Sequence, residues 1–120
     1  MKPNQLEERL IQFAIDVILI CKKVDNSFAA EHLAKQLIRS ATSAALNYGE
    51  AQGGASARDF IHKIKICLKE LRESLINMKI QKGANLITDI NALDKLIKEN
   101  NELISIFVVS IKTASLKLKS

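Results

Sequence analysis

The chain has 120 residues, of which 48% are apolar and 26% charged. This size and balance predict one globular domain over residues 1–120 and exclude a disordered chain. One proline and four glycines exclude a loop-rich β-sandwich, and five aromatic residues without tryptophan argue against an aromatic platform for unpaired bases. The 18 basic and 13 acidic residues give a net charge of +5, which fits a polyanionic partner and equally an ordinary lysine-rich surface.

The cysteines and the apolar windows favour a cytoplasmic protein. Cys21 and Cys67 are too few for a disulfide scaffold and are expected to be reduced, buried thiols. The N-terminal residues lead directly into an acidic amphipathic stretch that lacks the apolar core of a secretory signal. The most apolar window, 103–111, is far shorter than a membrane span. We therefore expect no membrane association.

The first predicted helix covers about residues 4–23, and the second covers about 28–51. The first has a row of apolar residues at helical spacing, with Ile11, Ala14, Ile18 and Cys21 beside it. Ser27 is expected to cap the second helix. Residues 40–45 of that helix are almost all small, which lets a neighbouring helix approach closely.

The third and fourth predicted helices cover about residues 57–81 and 88–117. Ser56 and Thr88 are the expected N-caps, and Gly83 is expected to close the third helix. Asn100 is the one polar member of the apolar row of the fourth helix, where it either fixes register or oligomeric state, or faces solvent at a bend. Because no alternating strand pattern occurs, the chain is predicted to be all-α, an antiparallel up-and-down four-helix bundle.

No residue set for catalysis is found, so we expect a protein that is not an enzyme and needs no cofactor. The two histidines, His32 and His62, are far apart, and no Cys-x-x-Cys pair occurs. Glu70 and Glu73 have a spacing that di-iron bundles use, but the Glu-x-x-His pairs of such sites are missing. No metal site is therefore predicted.

The most informative feature is a set of basic residues on the third helix, called here the basic stripe. At about 100° per residue, its members fall within a sector of about 100°, away from the apolar row. Residues 55–82 contain seven basic and three acidic side chains, so most of the net charge lies there. Such a face suits contacts to phosphates, and the alternative is an ordinary solvated surface. The stripe consists of Arg58, His62, Lys65, Lys69, Arg72 and Lys79.

Several large apolar residues lie off the apolar rows and predict a subunit interface separate from the basic stripe. They are Ile15 and Leu19 on the first helix, and Ile66, Ile76 and Ile80 on the third.

Residues 36–41, 47–50, 60–61 and 68–74 together resemble a known family. They are similar to the four-helix-bundle proteins encoded in intervening sequences of 23S ribosomal RNA, a fold family that includes the accessory variability determinant of diversity-generating retroelements. For Asn47 and Glu50 we favour a structural role beside the glycine-rich helix end, with an Arg39–Glu50 ion pair as a second possibility. The matching family positions are Arg39, Asn47, Glu50, Phe60, Glu70 and Glu73.

The resemblance implies a homo-oligomer, a pentameric ring of basic bundles, and for the retroelement branch it implies binding to nucleic acid and to a reverse transcriptase. Together with the charge placement, it predicts a non-enzymatic oligomeric accessory protein. We expect it to bind RNA or DNA, without sequence specificity, through the basic stripe. The alternative is a protein-interaction scaffold, for example the partner of a reverse transcriptase, without a direct nucleic-acid role.

Overall fold

The computed structural model describes residues 1–54 and 56–119, which contain four α-helices. They are α1 (Pro3–Cys21), α2 (Phe28–Gln52), α3 (Ala57–Gly83) and α4 (Ile90–Lys119), and each end lies within about two residues of its predicted position. Each helix packs against the next, and α1 also packs against α4. This confirms the all-α, antiparallel four-helix bundle, and no strand occurs in the described part of the chain beyond one isolated bridge between the loops at Val24 and Ile87.

Side-chain caps determine where α2, α3 and α4 begin. Ser27 and Ser56 each accept a hydrogen bond of 3.1 Å from the backbone N–H three residues later, as predicted. The predicted cap of α4 is wrong by one residue. Asp89 Oδ1 accepts from the backbone N–H of Ala92 at 3.1 Å, whereas Thr88 lies outside the helix. The carboxylate suits this position because it also faces the positive end of the helix dipole.

The left-handed residue in the turn after α3 is an asparagine, Asn85, and not the glycine at the end of the helix. Gly83 is the last residue of α3, but Asn85 has the left-handed conformation, with φ of 58°. The Leu86 N–H then donates to the Gln81 carbonyl at 3.0 Å, which closes the helix end in the manner of a Schellman motif. The predicted end of α3 at Gly83 is confirmed, but the left-handed turn that completes it lies two residues later, at Asn85.

Apolar side chains from all four helices form one core. Phe13 and Phe107 are its largest members, and the rings of Tyr48 and Phe107 meet edge to face with centroids 5.6 Å apart. The extra apolar stripe predicted on α1 is only half buried, since Ile11 and Ile18 are exposed. One face of α1 therefore packs in the core, and the other face is exposed to solvent.

Buried hydrogen bonds fix the position of α3 along its axis relative to α2 and α4. Asn100 is fully buried; its Nδ2 donates to the Leu71 carbonyl at 2.9 Å, and its Oδ1 accepts from Ser74 Oγ at 2.7 Å. Asn77 Nδ2 donates to the Leu33 carbonyl of α2 at 3.0 Å. Asn100 therefore fixes the register of α4 on α3, and the solvent-facing alternative is wrong.

Candidate nucleic-acid interface on the third helix

All six members of the basic stripe are exposed along one outer face of α3. The helix rises 1.5 Å per residue, so the stripe is about 30 Å long. Within the described residues, none of the six side chains forms an ion pair or a hydrogen bond. The five lysines and arginines of the stripe are therefore cations that no acid within the described residues pairs with.

The two other lysines of α3 behave differently. Lys63 Nζ donates to Glu50 Oε2 of α2 at 2.7 Å, and Lys82 Nζ donates to Asp94 Oδ1 of α4 at 2.7 Å. Both lie on the flanks of α3, where a neighbouring helix offers a carboxylate. The members of the stripe lie between these flanks and face away from both neighbours.

Three of the family positions form one ion-pair network beside the stripe. Arg39 of α2 donates through Nη1 to Glu70 Oε2 at 2.7 Å and through Nη2 to Glu73 Oε2 at 2.8 Å. Arg39 therefore neutralises both glutamates of α3. The possible Arg39–Glu50 ion pair is wrong, because Glu50 lies three turns further along α2 and pairs with Lys63.

Glu70 is a buried carboxylate that its partners keep ionised. Burial by itself raises the pKa of Glu70, but hydrogen bonds with Ser43, Glu73 and Arg39, together with the Arg39 charge, lower it below its usual value. The side chain of Glu70 is 8% exposed, against 42% for Glu73. Glu70 is thus part of the α2–α3 contact rather than of the exposed surface.

The remaining family positions are structural in their contacts. Asn47 Nδ2 donates to the carbonyl and the hydroxyl oxygen of Ser43, at 2.9 and 3.1 Å, within α2 and not at its end. The expected role of Asn47 and Glu50 in capping the end of α2 is therefore wrong, because Asn47 bonds one turn back and Glu50 bonds across to Lys63. Phe60 is half buried and packs on the core from the first turn of α3.

The expected separation between the stripe and the surplus isoleucines is wrong for two of the three on α3, Ile76 and Ile80. Ile76 lies about five full turns after Arg58, and Ile80 lies about five full turns after His62, so both share the angular sector of the stripe. Ile76 is 56% exposed and Ile80 is 51% exposed. They line a shallow groove together with Lys65, Lys69 and Arg72. The outer face of α3 is therefore cationic over its first four turns and mixed with apolar side chains beyond them.

An exposed aromatic pair on α2 escaped the sequence analysis. The rings of Phe28 and His32 are stacked, with centroids 6.0 Å apart and an angle of 7° between their planes. Phe28 is 84% exposed, the largest value among the large apolar side chains of the described residues. The available signal was its position directly after the Ser27 cap and off the buried row of α2.

The cysteines offer no reactive group. Cys21 and Cys67 are buried, and burial raises the pKa of their thiols to about 11 and about 12. Cys67 Sγ donates to the Ala44 carbonyl at 3.3 Å, so it contributes to the contact between α2 and α3. Residues 1–54 and 56–119 contain no group of three or more His, Cys, Asp or Glu side chains placed to hold a metal ion.

A family model of the 23S rRNA-intervening sequence protein matches residues 3–108. The chain belongs to this family. A similar solved structure is a protein of unknown function from the S23 ribosomal protein family of Bacteroides thetaiotaomicron VPI-5482, determined at 1.70 Å resolution. It is 28% identical, the match covers 93% of this chain and 99% of that chain, and the TM-score is 0.81. No curated protein matches this chain.

Family membership confirms the resemblance read from the motif positions, and the solved relative shares the bundle. The described helices include none with the length and apolarity that a membrane span requires.

Proposed function

We propose that the protein binds nucleic acid, without sequence specificity and without catalysis, through phosphate contacts from the basic stripe. One observation carries the proposal: five cations lie on a single exposed helix face, and no acid in the described chain pairs with them. Like charges three and four residues apart on a helix repel each other by a few tenths of a kcal/mol. A phosphate backbone relieves this repulsion and releases its own counterions on binding.

The test is a titration of labelled RNA and duplex DNA at several salt concentrations. Five phosphate contacts predict that the logarithm of the binding constant falls with the logarithm of salt, with a slope of about −4.5 for duplex and about −3.5 for a single strand. A salt-independent affinity would refute the proposal.

A charge-reversal variant and a matched control locate the contact surface. Lys65→Glu, Lys69→Glu and Arg72→Glu together are expected to abolish binding at 150 mM salt. The control places the same three reversals at exposed lysines on other faces, Lys35, Lys98 and Lys112. Because the two variants have the same net charge, equal losses would mean that overall charge, and not the stripe, attracts the nucleic acid.

We further propose a homo-oligomer, with the pentamer that the resemblance implies as its form. At +5 per chain, five copies carry about +25, so the contact between subunits has to be apolar and the charge has to face outward or line a channel. Ile15 and Leu19, exposed on α1, are candidates for that contact because they lie away from the stripe. Light scattering on Ile15→Glu, Leu19→Glu is expected to report monomers, and an unchanged assembly would remove this face from the contact.

The second candidate function is a protein-interaction scaffold, for example the partner of a reverse transcriptase. The observation in its favour is the presence of Ile76 and Ile80 within the face of the stripe, since exposed apolar side chains rimmed by polar ones are typical of protein contacts. A pull-down from lysate with and without RNase separates the two functions. A partner that remains after RNase treatment, and is lost in Ile76→Ser, Ile80→Ser, supports the scaffold.

A further inference from the structure

The shallow groove on the outer face of α3 has a basic half followed by an apolar half. Its α3 members recur every three or four residues, so neighbouring members lie one turn apart on the same side of the helix. At 1.5 Å per residue they extend over about 22 Å. In chain order these members are Lys65, Lys69, Arg72, Ile76 and Ile80.

The basic half of the groove is complementary to an acidic ligand. Glu73 also lines the groove, but Arg39 Nη2 donates to its Oε2 at 2.8 Å, so this carboxylate already has a cationic partner. Lys65, Lys69 and Arg72 have no acidic partner within the described residues. Acidic groups of a ligand would therefore meet three cations spaced by about one turn.

The apolar half of the groove indicates a protein ligand. More than half of Ile76 and of Ile80 is exposed, and such side chains are stabilised when another apolar group removes them from water. A phosphate backbone offers no apolar group, and a small molecule requires a more enclosed pocket than a shallow groove. A helix docked in a groove, in contrast, presents anchors at intervals of three or four residues, which is the spacing found here.

We propose that the groove binds an acidic helix of a partner protein, which then excludes nucleic acid from the basic stripe. About two turns of the helix present carboxylates to Lys65, Lys69 and Arg72. The next two turns present apolar side chains to Ile76 and Ile80. The exclusion rests on the proposed function, because the same three cations would hold either the phosphates or the carboxylates. The inference thus adds a class of partner and a means of regulation to this face.

The probe is a fluorescein-labelled synthetic helix of about 15 residues, long enough to span the groove. One face of it carries glutamates over two turns and leucines over the next two turns. Fluorescence anisotropy is expected to show binding to the unmodified protein in the absence of nucleic acid. Two matched peptides separate the halves of the contact, one with glutamines for the glutamates and one with serines for the leucines. Each is expected to bind at least about tenfold more weakly.

A double variant and a matched control locate the contact on the protein. Ile76→Ser with Ile80→Ser is expected to weaken peptide binding at least about tenfold and to leave the binding of RNA and duplex DNA unchanged. The control, Leu46→Ser with Leu116→Ser, removes two leucines that are 68% and 64% exposed on other helices. It is expected to bind the peptide like the unmodified protein. In a competition experiment the peptide is expected to displace labelled RNA from the unmodified protein.

The outcomes separate this inference from the proposed function. If the peptide does not bind, or binds the Ile76, Ile80 variant equally well, the helix contact is wrong while the phosphate contacts stand. If that variant loses nucleic-acid binding, or changes its oligomeric state in light scattering, the isoleucines serve another contact and the inference is overturned. If the peptide binds but RNA and DNA do not, the proposed function fails and the helix contact stands. Circular dichroism of each variant checks folding, which exposed side chains should not affect.

Discussion

The inner and outer sides of α3 both carry polar residues, but the two sides differ in whether those residues pair with neighbouring helices. On the inner side, Glu70, Ser74 and Asn77 each have a partner on a neighbouring helix. On the outer side, the cations of the basic stripe have no partner within the described chain. Burying a polar group without a partner is costly, so these three pairs favour one arrangement of the helices. The outer cations are under no such requirement and remain available for a ligand.

The largest expected difference between the two sides is in the free energy of unfolding, and two adjacent residues, Leu71 and Arg72, allow it to be measured. Leu71 is fully buried and Arg72 is exposed without an ion pair. Leu71→Ala is expected to lower the free energy of unfolding by about 2–5 kcal/mol, because it removes transfer energy and leaves a cavity. Arg72→Ala is expected to change it by less than about 0.5 kcal/mol. Urea denaturation measures both, and a comparable loss in Arg72→Ala would mean that the stripe supports the fold.

The second largest loss of unfolding free energy is expected when a buried hydrogen bond of α3 is removed. Ser74→Ala leaves the Asn100 carbonyl oxygen buried without a donor, and the expected loss in unfolding free energy is about 1–3 kcal/mol. The control is Ser105→Ala, where the exposed hydroxyl bonds only to a carbonyl of its own helix. If both changes cost the same in thermal or urea unfolding, the Ser74–Asn100 contact adds nothing to the register of α4.

The Arg39 network predicts a pH dependence. In the native protein the pKa of Glu70 is lowered, so its contribution to stability is present above the unfolded pKa and is lost as pH falls through the folded value. Arg39→Gln removes the part of that support that Arg39 supplies, so the pKa of Glu70 is expected to rise, while the hydrogen bonds with Ser43 and Glu73 remain. The variant is expected to lose about 1–2 kcal/mol at pH 7 and less at pH 4, where protonation of Glu70 becomes favourable. Urea unfolding at the two pH values checks this, and a constant difference would contradict it.

The smallest effect on the free energy of unfolding is expected for the stripe itself, where removing a charge should stabilise the protein. Lys69 lies one turn from Lys65 and from Arg72, so Lys69→Gln removes like-charge repulsion. We expect the unfolding free energy to rise by about 0.2–0.5 kcal/mol at low salt, with no change at 1 M salt because the charges are screened. A loss of stability in Lys69→Gln would show that this lysine has a partner in solution.

The sequence was sufficient for much of what depends on a single helix, although the cap of α4 is Asp89 and not the predicted Thr88. Helix ends follow from local caps such as Ser27 and Ser56, and the exposure of the stripe follows from a constant angle per residue. The sequence also places Ile76 within the angular sector of the stripe, since about five full turns separate it from Arg58. The error there was to treat apolar and basic residues as separate faces.

Contacts between helices were decided only by the tertiary structure. Arg39 had several possible acidic partners, and its choice of Glu70 and Glu73 depends on the level of α2 against α3, which the Asn77–Leu33 hydrogen bond helps to set. Periodicity gives the angle of a residue around its own helix but not the position of one helix along another. That position is a property of packing, which only the folded bundle determines.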